Sequence, residues 1–74
     1  MTGPRRAPQP PRRYEIRISG HLSRPVLLAF PALHAETHGG DTFLRGELPD
    51  RSALYGVLAR IEDLGLELLE LRRL

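Results

Sequence analysis

Three patterns in this 74-residue sequence predict a single small α+β domain built of two layers. Apolar and polar residues alternate in runs that begin near Tyr14, Leu33 and Thr42, which is the period of half-buried strands. Between Asp50 and Gly65 the apolar spacing lengthens to that of one helix face. A Gly39-Gly40-Asp41 turn separates two of the alternating runs and makes them a hairpin. The size, 8.3 kDa, allows one lean core, because a short chain buries a smaller share of its surface than a long one. There is no Cys, so neither disulfides nor thiolate metal sites can reinforce that core, and self-association is the remaining means.

Each element has a local reason. Residues 1–13, MTGPRRAPQPPRR, hold Pro and Arg with almost nothing apolar, so they read as a disordered tail ahead of a domain at residues 14–74. Tyr14, Ile16 and Ile18 on one side, with Glu15, Arg17 and Ser19 on the other, form the first strand, and Gly20 ends it. Ser23 offers a capping oxygen and Pro25 fits a first turn, so Val26 to Phe30 reads as a short helix before Pro31; a strand is the other reading of so brief a run. Leu33, Ala35 and Thr37 alternate with His34, Glu36 and His38, and Thr42 to Leu48 alternates again after the turn. Asp50 then caps a helix whose Leu54, Val57, Leu58, Ile61 and Leu64 lie on one stripe, with Gly65 as its terminator. Gly56 inside that helix suggests a close backbone approach. Leu66 to Leu74 reads as a final strand.

With right-handed crossovers, the order strand, helix, strand, strand, helix, strand gives an antiparallel sheet in the order 4-1-3-2 with both helices on one face. That is the ferredoxin-like βαββαβ two-layer sandwich. Without the first helix, a ββαβ-type variant of the same sandwich replaces it.

Charge and motifs bear on function mostly by exclusion. Arg5, Arg6, Arg12 and Arg13 crowd the tail, while Tyr14 to Leu74 carries a formal charge of −2, so the folded part lacks the basic footprint of a nucleic-acid module. The basic start has no apolar h-region and no apolar run approaches the ~20 residues of a membrane span, which points to a soluble, cytoplasmic protein. His34, Glu36 and His38 form H-x-E-x-H, but on a strand the two His lie about 13 Å apart and cannot close on one ion, so neither a metal nor a cofactor is expected. The Gly20-His21-Leu22-Ser23 loop is more simply turn chemistry than a ligand site, and Ser19, Ser23 and Ser52 have no nucleophile elbow or base partner. No enzyme is expected. Base stacking on the sheet would use Phe43 and Arg45, yet the neighbouring strand offers Glu15 with Arg17, and the basic-Gly-aromatic run of RNA-binding sheets is absent.

The last strand breaks the pattern. Leu66 and Leu68 fall on one parity, Leu69 and Leu71 on the other, so one pair should project from the uncovered side of the sheet. Either a bulge resets the phase or a partner covers the pair, and the thin core favours the partner. Phe43, Leu69 and Leu71 are the expected interface.

The stretch Leu54-Tyr55-Gly56-Val57-Leu58-Ala59-Arg60-Ile61-Glu62-Asp63-Leu64-Gly65-Leu66-Glu67-Leu68-Leu69-Glu70-Leu71 resembles the helix-then-strand half of ACT-type regulatory domains. That resemblance implies a ferredoxin-like fold, pairing of subunits and amino-acid binding. The loop Gly20 to Pro25 departs from the acidic-residue-and-Gly pattern of those domains. Residues 14–74, with Tyr-Glu-Ile-Arg-Ile-Ser-Gly-His-Leu at their start, also resemble short uncharacterised proteins of high-GC, actinomycete-type bacteria. The function expected is a non-enzymatic interaction or regulatory module that forms a homodimer, or takes another protein, through the open side or edge of its sheet. The alternatives are an ACT-like amino-acid sensor and a nucleic-acid accessory using the Arg tail.

Overall fold

The computed structural model describes residues 11–74. Four strands and two helices follow in the order β1 (Arg12–Ser19), α1 (Arg24–Leu27), β2 (His34–His38), β3 (Asp41–Leu48), α2 (Arg51–Asp63) and β4 (Leu68–Arg73). The strands make one antiparallel sheet in the order β2-β3-β1-β4, the arrangement expected of a ferredoxin-like α+β sandwich. Residues 1–10 of the expected tail, Arg5 and Arg6 included, lie outside the described residues. Arg12 and Arg13 are a correction to that tail, because they open β1 opposite Leu48 and Glu47. The strand reaches back this far because it has neighbours on both sides: Arg13 also accepts a backbone bond from Leu74 at 2.8 Å.

Even-numbered residues of β1 and β3 share the face that the helices cover. Ile16 stands beside Leu44 and Ile18 beside Thr42 in register, and all four are fully buried. Phe30 and Ile61 complete this core from above, with Val26, Leu27, Val57, Leu58 and Leu66 packed around it. Thr42 is tolerated in the interior because its hydroxyl donates to the Gly20 carbonyl at 2.7 Å. Burial of that hydroxyl also ties the end of β1 to β3.

The helices differ in how well their ends are closed. Asp50 Oδ1 accepts from the Ala53 N–H at 2.8 Å, the capping bond anticipated for α2. At its other end Gly65, at φ 71°, permits paired closing bonds from Leu66 N–H to the Ile61 carbonyl and from Gly65 N–H to the Glu62 carbonyl, each 3.0 Å. The same closure turns Leu66 back onto the core. In α1 Ser23 is the N-cap residue but makes no side-chain capping bond, and only four residues are helical before looser turns carry the chain to Phe30. Its anchors are the apolar contacts of Val26 and Leu27 with the core.

The close approach expected at Gly56 occurs at another glycine. Nothing lies within 4 Å of where a side chain on Gly56 would start, so the close approach expected there does not exist. It occurs at Gly46 in β3, where an added Cβ would sit 2.7 Å from the Ala32 carbonyl oxygen and 3.0 Å from Leu33. The connection between α1 and β2 lies directly on the sheet at that point.

The final strand is shorter than expected, and its phase is reset. Leu71 pairs with Ile16 and Glu70 with Arg17, but Ile18 pairs with Leu68, so Leu69 is an extra residue in a bulge. Leu71 and Leu68 therefore join Ile16 and Ile18 on the helix-covered side, which corrects the expectation that Leu69 and Leu71 share the open face. No helix among the described residues is long and apolar enough to cross a membrane.

Candidate functional site: the open sheet face and the free edge of β4

The sheet face opposite the helices carries the odd-numbered residues of β1 and β3 with the even-numbered ones of β2 and, past the bulge, Glu70 and Arg72 of β4. Register places His34 and Glu36 of β2 beside Arg45 and Phe43 of β3, Glu15 and Arg17 of β1 beside the same pair, and Arg72 and Glu70 of β4 at the far side. The H-x-E-x-H residues all sit here, as alternation required. His38 is 3.7 Å from Glu36, whose other oxygen belongs to Arg45. Among the described residues no group of three or more His, Cys, Asp or Glu side chains is arranged to hold a metal ion.

The charges on this face are mutually engaged. Arg45 donates through Nε to Glu15 and through Nη1 to Glu36, each at 2.6 Å. Glu15, only 8% exposed, takes a second cation on its other oxygen, Arg72 at 3.3 Å. Arg17 donates from both Nε and Nη2 to one Asp41 oxygen at 2.9 and 2.7 Å. The hydrogen bond from Arg45 holds the Glu15 carboxyl below the usual carboxylate range, in spite of burial, and the positive charges of Arg45 and Arg72 add to the effect. The same bond holds the Arg45 guanidinium above its ordinary value.

Phe43 is the centre of the arrangement. Arg17 and Arg45 each lie 5.5 Å from its ring centroid, and His38 meets it edge-on at 5.5 Å and 73°. The ring is flanked by cations rather than joined to an apolar patch, so the expected grouping of Phe43 with Leu69 and Leu71 is not assembled: Phe43 is on β3, and Leu71 faces the other way. The network itself was missed in the sequence reading. Its signal was the opposed charge order of Glu15-x-Arg17 and Glu70-x-Arg72 together with Arg45 and Glu36, which becomes informative only once strand order is known.

The edge of β4 is built differently. Every residue from Leu68 to Arg73 is exposed, and among the described residues β4 has a neighbour only in β1. Leu68, Leu69, Leu71 and Leu74 are 38–53% exposed, with Leu64 of the α2 cap close by in sequence at 41%. In the Gly20 loop, His21 Nε2 lies 3.2 Å from the Gly39 carbonyl, which joins that loop to the hairpin turn.

Residues 13–72 match a domain of unknown function, DUF8691. The chain belongs to this family. The DUF8691 span runs from β1 into β4 and so takes in the open face and most of the free edge. No curated protein and no solved structure matches the chain.

Proposed function

We propose that this DUF8691 chain is a non-enzymatic interaction module that self-associates through the free edge of β4, and not through its open sheet face. The observation that carries the reading is the contrast between an open face whose cations are held by carboxylates and an edge strand with exposed leucines and a row of backbone groups unpaired among the described residues. Docking a second chain against the open face would bury Arg17, Arg45 and Glu36 in arrangements that must replace their present bonds, at a cost in desolvation. Pairing at β4 instead supplies new backbone bonds and covers apolar area. A small core with no disulfide to support it also gains most from such burial.

The test is the solution mass of the full chain. Light scattering or sedimentation at tens of micromolar should give about twice 8.3 kDa, and the mass should fall to that of one chain for Leu71→Lys with its circular dichroism retained. A wild-type chain that stays monomeric at that concentration overturns the reading.

A further inference from the structure

We infer that the second copy lies antiparallel along β4 with its twofold axis through Leu71, so that Glu70 of each copy pairs with Arg72 of the other. This inference rests on the edge-pairing reading above and adds its register. The argument begins with the backbone. Leu74 donates its N–H to Arg13 of β1 at 2.8 Å, and alternate residues of a strand turn their polar groups the same way. Leu74, Arg72 and Glu70 therefore face β1, while Leu71 and Arg73 present their N–H and C=O groups to the free edge.

An incoming copy bonds to these outward-facing groups, and a residue whose groups face β1 cannot pair with one whose groups face out, which restricts the twofold axis on the straight part of β4 to Glu70, Leu71 or Arg72. An axis at Glu70 sets two carboxylates directly opposite each other, and one at Arg72 sets two guanidinium groups opposite each other. Like charges directly across a pair destabilise it. Only the axis at Leu71 sets Glu70 against Arg72, and symmetry repeats the match. Those positions fall at the non-hydrogen-bonded pairs of the seam, where the chains come closest, at about 4.5 Å between Cα atoms.

Two further features agree with this register. Among the described residues Glu70 makes no ion pair, because Arg17 across from it is committed to Asp41. Arg72 ends a row of alternating charge, Glu36 to Arg45 to Glu15 to Arg72, and the second copy's Glu70 would extend that row across the seam. On the helix-covered side the two Leu71 residues meet. In this register Arg73 lies opposite Leu69 of the second copy, the bulge residue, so the regular ladder across the seam runs from Glu70 to Arg72 and centres on Leu71.

Charge exchange tests the register. Glu70→Arg presents two cations at the seam and Arg72→Glu two carboxylates, so each variant alone should sediment near 8.3 kDa and an equimolar mixture near twice that. Amide exchange of the wild-type chain is the second measurement: Leu71 should gain protection as concentration rises, while Arg72, bonded to β1, should be protected throughout. Single variants that remain dimeric, or a mixture that stays monomeric with both chains folded, overturn the register while leaving edge pairing standing. A monomeric wild type overturns edge pairing itself.

Discussion

The β1–β3 ribbon and the β4 margin belong to one sheet, yet they solve opposite problems. On the ribbon both sides are occupied: Ile16, Ile18, Leu44 and Thr42 are sealed under the helices, and Glu15, Arg17, Asp41 and Arg45 are matched to one another on the open face. At β4 the leucines are roughly half covered, and among the described residues Glu70 has no ionic partner and one edge of the backbone is free. The lesson is that exposed charge is not by itself a binding surface. On the open face the charged groups have used their bonds on each other, whereas among the described residues the β4 edge keeps backbone groups without partners.

The contrast is broken most forcefully in the core. Leu44→Ala should cost about 2–5 kcal/mol in chemical denaturation because the cavity is enclosed on all sides. Leu69→Ala, at a bulge that is 45% exposed, should cost far less under conditions where the chain is monomeric. Equal costs would mean that β4 is as buried as the ribbon. Next in size is the pair of glycines: Gly46→Ala should destabilise by about 1–3 kcal/mol, since the Ala32 backbone cannot easily retreat, and Gly56→Ala should stabilise by up to about 1 kcal/mol by raising helix propensity in open space. Thermal melts of the two variants moving in the same direction would contradict the packing described for β3.

The smallest effect is a pH dependence. Glu15 has a folded pKa below its unfolded value, so the stability it supplies is present above the unfolded pKa and is lost as acidity rises through the folded one. Arg45→Met removes the main cause of the depression, and its urea midpoint should fall less steeply on acidification than that of the wild-type chain. An unchanged acid limb would place the source of acid sensitivity elsewhere.

Much of this was legible in the linear chain. Period two at Tyr14 to Ser19 and at Thr42 to Leu48, the Asp50 cap and the Gly65 terminator are decided by neighbours a few residues apart, so strands, hairpin and α2 follow from local chemistry. Handedness of the crossovers then restricts the sheet order. The candidate site was legible only in part, because Arg45 is far in sequence from Glu15, and Arg72 farther still.

What tertiary structure alone decided is where two backbones meet. Gly46 rather than Gly56 takes the close approach because the α1–β2 connection lies on β3. Arg12 and Arg13 join β1 because Leu48 and Leu74 reach back to meet them. A one-residue bulge at Leu69 sends Leu71 inward; the broken alternation within β4 left a bulge and a covering partner as alternatives, since the phase of an edge strand is set by the ladder it makes with β1.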